Sequence, residues 1–194
     1  MTGTSIDFHR PAIYNHDPLP DRVALRLNIM EERMTTVKAI PDGYHSISPA
    51  LTCRNASQAI DFYKKVFGAK EIMRMPGPGG IVMHAELKIG DSNIFLNDEI
   101  PGMASAPTPG SGNPVYLFLY TEDVDRVFEA AVAEGSKVTM PLENQFWGDR
   151  YGKIVDPYGH MWGLAQHVED VAPEEMERRA AAYQNKATQA KSAG

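Results

Sequence analysis

His84 and Glu86 stand two residues apart in the stretch Val82-Met83-His84-Ala85-Glu86-Leu87-Lys88-Ile89. Residues i and i+2 of a strand share a face, so an imidazole and a carboxylate would sit side by side there. Such a pair serves either as a general base with the carboxylate that orients it, or as a hydrogen-bonded pair lining a surface. A second cluster, Phe146-Trp147-Gly148-Asp149-Arg150, brings an indole close to a guanidinium. Trp147 can stack on a flat ligand while Arg150 clamps an anionic group with its planar fork. The alternative is structural: the indole caps the edge of the core, and Asp149 and Arg150 tie the loop down. The single cysteine, Cys53, lies in an expected strand without an obvious basic activator and is expected to be an inert buried thiol. With no second cysteine an intramolecular disulfide is excluded, which fits a reducing cytoplasm.

The elements that must position these groups emerge from Tyr44 onward. Ser46–Cys53 alternates, and Ala59, Ile60, Tyr63, Val66 and Phe67 then recur at helical spacing. Asn55 is placed to cap the start of that helix and Gly68 to end it in a left-handed conformation. Strand patterns follow at Lys70–Met75, Ile81–Ile89 and Asn93–Asn97, separated by the glycine- and proline-rich turn at 76–80 and by Gly90-Asp91. After an aperiodic stretch the order returns. Val115–Tyr120 is a strand, Val124, Val127, Phe128, Ala131 and Val132 mark a helix ended by Gly135, and strands are expected at Lys137–Met140, Arg150–Val155 and Met161–His167. Laying Gly68 on Gly135, 67 residues on, also lays Ile60 on Val127, Lys70 on Lys137, Leu51 on Phe118 and Cys53 on Tyr120. The chain therefore carries an internal duplication of a βαβββ unit.

This gives five segments: an N-terminal extension over 1–40, a first unit over 41–100, a linker over 101–113, a second unit over 114–168 and a helical tail over 169–194. The extension is either a mobile terminal arm or lies upstream of a natural start at Met34. In the tail, Pro173 suits a first helical position, with Glu174 and Glu175 at the positive end of the helix dipole. The chain has 194 residues, of which 43% are hydrophobic, enough for a real core and against wholesale disorder. With 19 basic and 25 acidic residues its net charge is −6, which argues against nucleic acid as a partner. The longest strongly apolar run, Val115–Tyr120, falls far short of the roughly 20 residues a bilayer requires, so no membrane association is expected. Soluble, acidic and cytoplasmic is the expected character.

A duplicated βαβββ unit ending in Asp156-Pro157-Tyr158-Gly159-His160-Met161-Trp162 resembles the vicinal oxygen chelate superfamily of glyoxalases, bleomycin-resistance proteins and extradiol dioxygenases, over about residues 44–168. Ala59-Ile60-Asp61-Phe62-Tyr63, Met83-His84-Ala85-Glu86 and Phe146-Trp147-Gly148-Asp149-Arg150 are similar to its bleomycin-resistance-like branch, often labelled demethylubiquinone methyltransferase-like. The resemblance implies an α+β fold in which the two units form a cupped mixed sheet, with helices on the convex side, a ligand or metal in the hollow, and a homodimer. Metal-using relatives place His, Gln or Glu on the first and last strand of each unit. The matching positions here are Ser48, Phe95, Tyr116 and Gly163, none a usual donor, so neither metal nor other cofactor is expected.

Strand alternation fills the hollow instead with Tyr116, Phe118 and Tyr120, with Phe95 and Asn97, and with His84 and Glu86. Trp147 and Arg150 stand at its mouth. An aromatic concavity with a few polar anchors suits a small molecule. The expected function is metal-free binding of an aromatic or planar small molecule. The alternative is a metal-dependent lyase or ring-cleaving dioxygenase whose ion has moved to His84 and Glu86. A methyltransferase lacks support, because no glycine-rich cofactor loop follows a strand.

Overall fold

Asn55 and Asp123 open two helices in the same way, each side chain accepting from the backbone N–H three residues on, Gln58 and Arg126, at 3.2 Å. The computed structural model describes residues 37–108 and 115–192. The first helix, α1 (Ala56–Phe67), buries Ala59, Ile60, Tyr63 and Val66 on one stripe and ends at Gly68, whose φ of +66° is the left-handed conformation expected of it. The second, α2 (Val124–Ala133), buries Val124, Val127, Phe128 and Ala131 and is followed by Gly135 at φ +94°.

Each helix belongs to a four-stranded sheet. β1 (Ala50–Cys53), β2 (Lys70–Pro76), β3 (Val82–Ile89) and β4 (Ser92–Asp98) lie in the order β1-β4-β3-β2. β5 (Leu117–Tyr120), β6 (Lys137–Asn144), β7 (Asp149–Val155) and β8 (Met161–His167) repeat it as β5-β8-β7-β6. In both sheets the first strand runs parallel to the last and the other neighbours are antiparallel. A third helix, α3 (Pro173–Ser192), starts at the proline marked for it. The fold is α+β, built from two βαβββ repeats.

The faces of the repeats follow a different phase from a uniform spacing of 67. Leu51 and Cys53 are buried in the core, whereas Phe118 and Tyr120, laid on them by that spacing, are exposed. The core-facing residues of β5 are Leu117 and Leu119. The spacing is 68 at the helix caps Asn55 and Asp123, and it is 67 where Lys70 and Lys137 pair with Lys88 and Val155. The second helix spends one residue fewer between its cap and the next strand. One deleted residue shifts a helix by a fraction of a turn but turns a strand over, so helix patterning hides what strand patterning must respect.

The two repeats share one hydrophobic core, in which the Phe67 ring lies 4.5 Å from Trp162 and Tyr63 stacks on Phe67 at 5.7 Å. Asp156, in the turn between β7 and β8, is the polar centre of this junction. Its buried carboxylate accepts from Tyr63 Oη at 2.7 Å, from Trp162 Nε1 at 2.9 Å, and from the backbone N–H groups of Tyr158 and His160. Beside it His160 Nε2 donates to the Thr52 carbonyl at 3.1 Å and lies 3.6 Å from Cys53 Sγ. That nitrogen holds its proton for the carbonyl, and burial pushes the Cys53 thiol up to about 12, so Cys53 is the inert buried thiol expected. Residues 37–42 belong to a separate unit, in which Lys38 pairs with Asp42. The expectations for residues 1–36, including a start at Met34, lie outside the described residues, as do 109–114 of the linker region and the last two residues of the tail.

Candidate functional site

With Leu51, Cys53, Ala85, Leu87, Ile94 and Leu96 turned to the core, the alternate residues of the first sheet form its open face. Register brings Phe95 beside Ala50 on one side and Glu86 on the other, and pairs Asn97 with Thr52. His84 Nε2 lies 3.1 Å from Glu86 Oε1, and the imidazole packs 5.3 Å from the Phe95 ring. Asn97 donates to Thr52 Oγ1 and to its neighbour's carbonyl. Tyr44, ahead of β1, donates its hydroxyl to Glu86 Oε2. The Tyr44 hydrogen bond holds Glu86 below the usual carboxylate range, with His84 adding to it and desolvation opposing, and the same contact raises the Tyr44 hydroxyl.

On the second sheet Tyr116, Phe118 and Tyr120 line up along one face, joined by Tyr151 from β7. Phe118 stacks on Tyr151 with ring centroids 5.2 Å apart and planes within 10°. Tyr151 shares a hydrogen bond with Tyr116, over whose ring Lys153 Nζ sits at 4.5 Å. Gly163 makes this possible, because a Cβ there would come within 2.9 Å of Tyr151. Asp149, on the same face, is buried and takes three donors: Tyr120 Oη at 3.0 Å, Trp147 Nε1 at 3.0 Å and His167 Nδ1 at 2.9 Å. The Trp147 indole meets Tyr151 edge-on at 5.9 Å.

The structure thus gathers the site residues into two groups: His84, Glu86, Phe95 and Asn97 on the first face, and Tyr116, Phe118, Tyr120 and Trp147 on the second. Arg150 joins neither. It follows Asp149 in β7, so alternation turns it to the helix side, where it forks onto Asp125 in the first turn of α2 at 2.6–3.0 Å and reaches Asn144. Its guanidinium is engaged by Asp125 and Asn144 on the helix side of the sheet, away from the aromatic face. Tyr151 shares the strand phase of Asp149, a signal that alternation carries, whereas Tyr44 lies in no periodic element and has no signal in the sequence.

Along the paired stretches of the first and last strands, the open-face positions are Ala50, Thr52, Phe95, Asn97, Phe118, Tyr120, Gly163 and Ala165. They offer no imidazole, carboxylate or thiolate and do not fit a divalent ion; His167, in the same phase at the end of β8, has its two ring nitrogens engaged by Asp149 and Asp170. Among the described residues no three His, Cys, Asp or Glu side chains gather elsewhere as a metal set.

Paired βαβββ repeats, each with an open sheet face, place this chain in a family: residues 45–164 match the Glyoxalase/Bleomycin resistance protein/Dioxygenase superfamily, and the chain belongs to it. An uncharacterized protein of Mycobacterium tuberculosis is 43% identical over 136 residues, covering 68% of this chain and 80% of that protein. Among solved structures, protein PA1353 from Pseudomonas aeruginosa (TM-score 0.55) and TioX from Micromonospora sp. ML1 (TM-score 0.51) are each 25% identical and cover 64% of this chain and 99% of their own. Among the described residues no helix is long and apolar enough to cross a membrane.

Proposed function

We propose that this chain binds a flat aromatic small molecule on the open face of its second sheet, without a metal ion, and that a second copy of the chain closes the hollow. The observation that carries the reading is the exposed run Tyr116, Phe118 and Tyr120, at 41%, 44% and 59%. Contiguous aromatic surface of this kind marks an interaction site, and here it is held rigid by Tyr151, Trp147 and the buried Asp149. The net charge of −6 favours a cationic ligand. Open sheet faces and the exposed Ile72, Met73 and Met75 of the edge strand β2 support closure by a homodimer.

A thermal-shift panel of glycopeptide antibiotics, quinones and flavonoids tests the reading. At least one compound is expected to raise the melting temperature in a concentration-dependent way, and Phe118→Ala is expected to remove the response. Silence across the panel counts against the proposal. Stoichiometric metal in protein purified without a histidine tag, lost in His84→Ala, would move the assignment to a lyase or dioxygenase.

A further inference from the structure

We infer that the open face of the first sheet is a phenol-binding site occupied by the chain's own Tyr44, and that a hydroxylated aromatic molecule takes its place between Glu86, His84 and Phe95. This stands independently of the reading for the second sheet. Tyr44 belongs to no helix or strand, yet it is fixed as a bound phenol would be. Its hydroxyl donates to Glu86, the other oxygen of that carboxylate is engaged by His84, and its ring packs against Phe95 at 6.3 Å. The segment is drawn across the face by a second contact, Asn93 Nδ2 donating to the Gly43 carbonyl at 2.9 Å.

Three features make this a built site. The Glu86 side chain is only 14% exposed, although it is charged, and so presents a partly desolvated acceptor to an O–H donor. In β2, Met73 and Met75 register with Glu86 and His84 and remain half-exposed, placing thioethers, which favour aromatic rings, on the same face. Asn93 Oδ1, two residues before Phe95, is buried without a hydrogen-bond partner while its Nδ2 holds Gly43, which leaves an acceptor for a ligand. Displacing Tyr44 unpairs no strand, because it lies six residues ahead of β1. A phenol entering the site exchanges one O–H donor to Glu86 for another, with no bond made or broken and no net proton transfer.

The probe is p-cresol, the tyrosine side chain as a free molecule, with toluene as its hydroxyl-free control. Calorimetric titration of Tyr44→Gly is expected to show p-cresol binding at least about tenfold tighter than in the unaltered chain, and Tyr44→Gly/Glu86→Gln to lose most of that gain. Toluene is expected to bind both variants equally. Any p-cresol bound on the second sheet is common to all of these proteins and cancels, so failure here is separate from failure of the aromatic panel. Tyr44→Phe, which keeps the ring and the packing, is expected to fall between the unaltered chain and Tyr44→Gly, and it decides the matter if the glycine variant does not fold. Equal p-cresol affinity in the unaltered chain and Tyr44→Phe, or a gain in Tyr44→Gly that survives Glu86→Gln, overturns the proposal.

Discussion

Gly163 is the residue on which the aromatic wall rests. A side chain there would occupy the space now filled by the Tyr151 ring and would also press on Tyr116, 3.1 Å from its Cβ position. Gly163→Val is therefore expected to cost about 1–3 kcal/mol in urea denaturation and to weaken the near-ultraviolet circular dichroism of the stacked Phe118–Tyr151 pair. A few residues on, His167 gives a second test. Asp170 on one ring nitrogen and Asp149 on the other hold its pKa above the ordinary histidine value. A cation favoured by the fold adds stability in full below the pKa of the unfolded chain, and that stability is lost as pH rises through the higher folded value. The stability difference between the unaltered chain and His167→Gln is thus expected to shrink as pH climbs from about 6 to 8, with the imidazole signal of His167 titrating above the usual range in proton NMR.

The helices show how one architectural need is met twice with different chemistry. In the first repeat Asp98, at the end of β4, accepts from the first N–H of α1, Ala56, and from Val82 N, both at 2.7 Å. In the second, Gln166 near the end of β8 accepts from the first N–H of α2, Val124, at 3.3 Å. A buried carboxylate bonded to two backbone donors is worth more than a neutral amide bonded to one, because its loss leaves two N–H groups unsatisfied. Asp98→Ala is expected to lower unfolding free energy by about 2–4 kcal/mol and Gln166→Ala by about 1 kcal/mol, read from paired urea curves. Neither contact was legible in the sequence. The residues sit 42 positions from the helices they anchor, and only sheet closure brings them together. The helices themselves, with their caps at Asn55, Gly68 and Gly135, were legible because the interactions that start and stop a helix are local.

At the scale of the whole molecule the repeats behave as one core, not two beads. Asp156, Tyr63 and Trp162 join them through buried hydrogen bonds, and the Phe67–Trp162 contact continues the apolar layer across the junction. Asp156→Ala strands the Tyr63 hydroxyl, the indole N–H and two backbone donors, and is expected to cost at least about 3 kcal/mol. If the core is shared, the circular dichroism signal and tryptophan fluorescence will still unfold in a single coincident transition, at lower urea, in that variant. Separate transitions for the two repeats would contradict a common core. The proposed homodimer belongs to this scale as well, and sedimentation velocity is expected to return twice the 21.4 kDa mass of the chain.

What the sequence determined alone is whatever depends on near neighbours: the helix caps, the turns, the alternation that put Tyr116, Phe118 and Tyr120 on one face, and the duplication itself. Alternation also separated Asp149 from Arg150 in principle, but which face was the hollow and which the helix side depended on Asp125, 25 residues away. Only the tertiary structure decided that Arg150 forks onto Asp125, that Asp156 joins two repeats, and that Tyr44 lies against Glu86. Each is a pairing across the fold between groups whose sequence separation carries no period, and such pairings exist only once both partners have been brought to the same place.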